Sequence, residues 1–188
     1  MRAVPPTSSR LIVKRGGSSI TKQVPKPVVL VDTREQNPLN LSRFGNWIQA
    51  ERRATLKTGD YSVEGMEDML TLERKSLSDL IGSLIHGRRR FLDECERMTQ
   101  FRWRAILVEA SYEDVKSPYA HLEFTEAHPN GIAGSLDAIE CKYSIPVIYT
   151  SQHRELAEEK AASWLSKMAT YHWLESNGLG RFLQDGDL

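Results

Sequence analysis

Apolar positions along the chain switch between two periods, and the switches predict where strands give way to helices. Val28-Val29-Leu30-Val31 is a short β-branched run, the mark of a buried strand, and it ends in Asp32-Thr33-Arg34-Glu35. Residues 43 to 51 place Phe44, Trp47 and Ile48 on one face of a short predicted helix. Tyr61-Ser62-Val63 and Met69-Leu70-Thr71-Leu72-Glu73 read as two strands around a turn containing Gly65. Alternation in the second strand puts Leu70 and Leu72 on one face, with Glu73 and Lys75 together on the other. From Leu77 the step lengthens: Leu77, Leu80, Ile81, Leu84, Ile85, Phe91, Leu92, Cys95 and Met98 form an amphipathic stripe. Ser76 or Ser78 caps this helix, and Gly87 splits or kinks it.

Ala105-Ile106-Leu107-Val108 predicts the next buried strand, ending in Glu109. Residues 111 to 129 are polar and irregular, the length of a surface excursion or lid. A helix follows over 131 to 143, then a short strand, Pro146-Val147-Ile148-Tyr149. Residues 155 to 175 predict a long amphipathic helix carrying Leu156, Trp164, Leu165, Met168 and Tyr171. The alternation predicts one α/β domain over residues 28–175, a mixed central sheet flanked by helices, with 176–188 as a short tail.

With 188 residues, 40% hydrophobic and 27% charged, the chain suits a single well-buried domain. No run approaches the roughly 18 apolar residues of a membrane span, and no secretory signal is present. An intracellular location is expected, in cytoplasm, nucleoid or nucleus. Cys95 and Cys141 are isolated thiols and the histidines are scattered, which argues against zinc.

A formal net charge of zero argues against nucleic acid until its distribution is considered. Residues 1–27 carry Arg2, Arg10, Lys14, Arg15, Lys22 and Lys26 with no acid, amid proline, serine and glycine. This reads as a flexible basic arm touching phosphates, or as a solvated leader. Arg88, Arg89 and Arg90, with Arg97, Arg102 and Arg104, are a second basic cluster. They contact DNA or form a charged helix face balanced by Asp93, Glu94 and Glu96.

The chemistry concentrates in Gly59-Asp60-Tyr61 and, 13 positions after Asp60, Glu73-Arg74-Lys75-Ser76-Leu77-Ser78-Asp79. Two carboxylates can hold Mg²⁺ while leaving positions for phosphate oxygens and water. A lysine two residues beyond the second acid orients or deprotonates that water and offsets transition-state charge. Hydrolysis of a nucleic-acid phosphodiester is the reaction this set suggests.

Val31-Asp32-Thr33-Arg34-Glu35, Gly59-Asp60-Tyr61, Glu73 to Leu80 and Gly82-Ser83-Leu84-Ile85-His86-Gly87-Arg88 together resemble the nuclease domain of the XPF family of structure-specific endonucleases. The resemblance implies the restriction-endonuclease-like PD-(D/E)xK fold and a Mg²⁺- or Mn²⁺-dependent endonuclease cutting branched or flap-containing DNA in repair or recombination. It implies Asp60 and Glu73 as metal-binding acids, completed by the carbonyl of Arg74, and Lys75 as the catalytic lysine. Asp32 matches an acid near the metal, acting through water or on a second ion; a strand-end cap is the structural alternative. Arg34, Arg74, Asp79 and Arg88 match positions that hold the site together or contact the substrate. The family's paired helix-hairpin-helix modules have no counterpart here, so a stand-alone domain is expected. Its grip on DNA then comes from the body, the basic arm, a homodimer or a separate DNA-binding partner. A catalytically silent scaffold subunit and a nicking or resolvase-type enzyme are the alternatives.

Overall fold

Described in the computed structural model are residues 10–15, 18–119 and 127–178. Strands β1 (Arg10–Arg15) and β2 (Ser18–Gln23) pair antiparallel as a sheet of their own. The expected flexible arm therefore contains a pair of antiparallel strands.

Six strands make the main sheet: β3 (Val28–Asp32), β4 (Ala50–Ala54), β5 (Tyr61–Val63), β6 (Leu70–Ser76), β7 (Trp103–Glu109) and β8 (Val147–Tyr149). Their order is β4-β3-β5-β6-β7-β8, with β5 antiparallel to both its neighbours and every other pairing parallel. Helices α1 (Leu77–Ile85), α2 (Arg88–Met98), α3 (Tyr112–Lys116), α4 (Pro129–Tyr143) and α5 (Arg154–Ser176) cover it. Alternation along β7 feeds two cores. Ile106 and Val108 pack with Leu80, Ile81, Leu84, Phe91 and Leu136 from α1, α2 and α4. Ala105 and Leu107 pack with Leu70, Leu72 and, from α5, Ala157, Ala161 and Leu165.

The mixed sheet flanked by helices is the predicted α/β architecture. Gly87 does split the predicted long helix, serving as the N-cap residue of α2. The helix expected over residues 43 to 51 is absent: only Ser42–Phe44 turn, as a 3₁₀ segment, and the chain then enters β4. Phe44 and Ile48 are buried as the periodicity demanded, but through loop packing. Within the polar excursion, Ser111 and Asp114 form a capping box that starts α3; the lid expectation for residues 120 to 126 lies outside the described residues. Among the described residues, no helix is long and apolar enough to cross a membrane.

Candidate active site

A cleft of about 670 Å³ opens beside the carboxyl end of β3 and the middle of β6. Asp32, Arg34, Asp60, Glu73, Arg74, Lys75 and Asp79 all line it, so the sequence candidates from three segments converge. Arg90 lines it as well, whereas Arg88 and Arg89 do not. Arg88 donates instead to Ser135 Oγ (3.0 Å), and Arg89 pairs with Asp93 (3.0 Å). Arg102 pairs with Glu175 (2.7 Å) and Arg104 donates to the Phe101 carbonyl (2.7 Å), so the basic cluster is dispersed over the surface.

Asp60 is fixed by backbone bonds to two neighbours: its N–H donates to Leu72 (3.0 Å) and its carbonyl accepts from Asp32 N–H (2.8 Å). The turn before it requires Gly59, whose φ of +78° lies in the left-handed region. One Asp60 carboxylate oxygen accepts the Arg74 N–H at 2.8 Å. Glu73 is 3% exposed and takes Lys75 Nζ at 2.5 Å, while Lys75 also sits 5.2 Å from the centre of the Phe91 ring.

Burial drives the Asp60 carboxyl upward, with the charges of Glu35 and Glu94 adding to it against the Arg74 N–H and Lys75. Burial also drives Glu73 upward, reinforced by Asp60 and Glu94 and opposed by Lys75. Lys75 moves the other way from its own burial: desolvation lowers it, but Glu73, Glu94 and Asp60 hold the ammonium above its ordinary value. Two desolvated, mutually repelling carboxyls with oxygen donors alone suit a hard divalent cation.

Asp32, expected as an acid near the metal, has both carboxylate oxygens engaged in hydrogen bonds. It is 1% exposed, and one oxygen accepts Arg34 N–H (2.8 Å) and Arg34 Nε (2.7 Å). The other accepts Arg34 Nη2 (3.0 Å) and the Leu56 N–H (2.7 Å). The four lone-pair directions of the carboxylate are thus taken. Burial alone would raise its pKa, yet these bonds hold it below the ordinary value. Among the described residues, no three His, Cys, Asp or Glu side chains group as a metal site.

Arg34 and Asp79 also carry structural bonds. Arg34 donates to the Leu56 carbonyl (2.8 Å), and Asp79 accepts from Ser76 Oγ (2.6 Å) while its N–H donates back to Ser76, capping α1. The Arg74 guanidinium is buried, paired with Glu35 (3.2 Å) and Glu109. The motifs give Glu35 and Phe91 no site role, and Glu94 and Arg97, read only as parts of a charged cluster, line the cleft. Arg90, Glu94 and Arg97, spaced by four and three, share one face of α2, a signal available in the sequence.

A mixed sheet with paired acids and a lysine at this point defines a restriction-endonuclease-like nuclease domain. The ERCC4 domain family matches residues 31–162, and the chain belongs to it, as an XPF-family nuclease domain. DNA repair protein RAD1 of Saccharomyces cerevisiae is 30% identical over 141 residues, covering 68% of this chain and 12% of that protein. A Methanocaldococcus jannaschii protein named "Putative ATP-dependent RNA helicase MJ1505" is 27% identical over 134 residues, 71% of this chain and 15% of the relative. The chain thus spans a small part of the length of both relatives. The fold is similar to XPF from Aeropyrum pernix in complex with DNA, with TM-score 0.58 and 24% identity over 78% of this chain and 66% of that one.

Proposed function

We propose that this chain is a divalent-metal-dependent endonuclease that hydrolyses DNA phosphodiesters at flaps or branches between duplex and single strand. The observation that carries the reading is the convergence of Asp60, Glu73 and a charged Lys75 in one cleft. Asp60, Glu73 and the Arg74 carbonyl would hold Mg²⁺ or Mn²⁺, which when bound supplies positive charge to phosphate oxygens and acidifies water. Lys75, 2.5 Å from Glu73, is placed to orient or deprotonate the attacking water and to offset phosphate charge. Arg90 and Arg97, exposed at the rim, attract the DNA backbone. A second copy or a separate DNA-binding protein adds grip to a chain of zero net charge.

The test is cleavage of labelled 3′-flap, fork, duplex and single-stranded DNA with Mg²⁺, Mn²⁺ or chelator, beside Asp60→Asn and Glu73→Gln. Metal-dependent cutting near the branch is expected, falling more than about 100-fold in either variant, beyond the loss of an outer partner of a metal site. Undiminished cutting by Asp60→Asn removes the assignment.

A further inference from the structure

We infer that Arg154, in the first turn of α5, is a positioning residue for this active site, acting through Arg74 from the opposite side of the sheet. The inference rests on the nuclease reading for its kinetic consequence, though not for its geometry. Strand alternation along β6 turns Glu73 and Lys75 into the cleft and sends the intervening Arg74 side chain toward the α5 side. The Arg74 peptide, however, belongs to the site: its N–H holds Asp60 Oδ2 at 2.8 Å. The β6–β7 pairing holds that peptide, and a guanidinium locked at the end of the side chain adds to its constraint.

Two carboxylates grip the guanidinium, Glu109 at Nε and Glu35 at Nη1. Arg154 reaches both supports. Its Nη1 lies 3.6 Å from Glu109 Oε2, the oxygen that Arg74 Nε leaves open. Its Nη2 donates to the carbonyls of Asn37 (2.6 Å) and Pro38 (2.7 Å), and Asn37 N–H in turn holds Glu35 Oε1 at 2.7 Å. Glu158, one turn along α5, sits 3.7 Å from Arg154 Nε and accepts Arg43 at 2.9 Å. Side chains of Arg74, Glu35 and Glu109 are 8%, 9% and 10% exposed, so water competes poorly for the Arg74 pairs, while Arg154 itself is one-third exposed. A planar fork serving a carboxylate and two carbonyls is a task lysine fulfils only in part.

The experiment compares wild type, Arg154→Ala, Arg154→Lys and the exposed α5 control Lys160→Ala. Single-turnover cleavage over Mg²⁺ and DNA titrations is read beside Mn²⁺ binding by electron paramagnetic resonance and the ¹⁵Nε–H exchange rate of Arg74. Expected for Arg154→Ala are a rate constant down about tenfold, Mn²⁺ binding weakened severalfold and Arg74 Nε–H exchange accelerated, with KM for DNA within about twofold. Arg154→Lys should recover part of each, and Lys160→Ala should match wild type. Unchanged Arg74 exchange and Mn²⁺ affinity in a folded Arg154→Ala protein would overturn the inference, as would a loss confined to KM. If Arg154→Ala fails to fold, the same readings on Arg154→Lys decide. A wild type that cuts nothing yet shows the Arg74 and Mn²⁺ effects would sink the nuclease reading and leave the positioning role standing.

Discussion

At the residue scale, burial and mutual repulsion raise the proton affinity of Asp60 and Glu73. The ordinary pKa values of 3.8 for Asp60 and 4.5 for Glu73 rise to about 6 and about 8, so between pH 4 and 8 the folded protein binds protons that the unfolded chain releases. Their stabilising contribution is complete below about pH 4 and is lost as pH rises through about 6 to 8. Asp32 has the opposite sign: its contribution is present above 3.8 and lost as pH falls below it, outside that window. Chelated protein should therefore melt several degrees lower at pH 8.5 than at pH 5.5, at about 2–4 °C per kcal/mol for a domain of this size. Mg²⁺ should flatten the slope by replacing the protons, and Asp60→Asn/Glu73→Gln should remove it. A flat melting profile in chelator would show that the pair is not strained. For Asp32, whose oxygens are taken by Arg34 and Leu56, Asp32→Ala should destabilise by about 1–3 kcal/mol for the buried Leu56 N–H left unpaired. A urea melt reads that loss, and Asp32→Asn should keep its Mg²⁺ half-saturation within about threefold of wild type; a larger shift would restore Asp32 as a ligand.

Elements matter through the angles at which they present these groups. The turn into β5 delivers Asp60 only because Gly59 adopts a positive φ; a Cβ there would lie 2.1 Å from Thr71 Oγ1 and 3.2 Å from the Leu72 carbonyl. Gly59→Ala is predicted to cost about 1–3 kcal/mol and to lower cleavage together with stability, because the same backbone holds Asp60. Denaturant unfolding beside single-turnover rates checks this, and wild-type values for both would contradict the account. The motif spacing made the β5–β6 pair and the α1 cap legible, since alternation and the Ser76-x-x-Asp79 cap are local signals. By contrast, β4 was illegible: its sequence Ala-Glu-Arg-Arg-Ala has little β-propensity and becomes a strand by pairing along β3 at the sheet edge.

For the whole molecule, the β1–β2 hairpin pairs with no strand of the main sheet among the described residues. Removing residues 1–23 should therefore keep the melting temperature within about 2 °C of wild type, the equivalent of about 0.5–1 kcal/mol. It removes Arg2, Arg10, Lys14, Arg15 and Lys22 while keeping Val24, which is buried in the body. If these cations reach phosphates, the slope of log K against log salt should fall by about 0.9 for each duplex phosphate they had neutralised. An unchanged slope in a filter-binding titration would reduce the segment to a leader.

Periodicity and motif order in the sequence alone determined the α/β class, most of the strands and helices, and Asp60, Glu73 and Lys75 as one chemical group. These are local properties: side-chain alternation, helical spacing and capping operate over a few residues, and the acids sit on one strand and beside its antiparallel neighbour. Only the tertiary structure decided that Asp32 is bonded by Arg34 and Leu56, that the Arg74 guanidinium is buried between Glu35 and Glu109, and that Glu94 adds to the strain on the pair. It alone joined Arg154 to Glu109 across 45 positions of chain, and buried Glu158 and small alanines on an α5 face expected to carry large apolar residues. The reason is physical: which hydrogen bonds a buried carboxylate makes depends on donors brought together by folding, and no spacing along the chain encodes how far water is excluded from them.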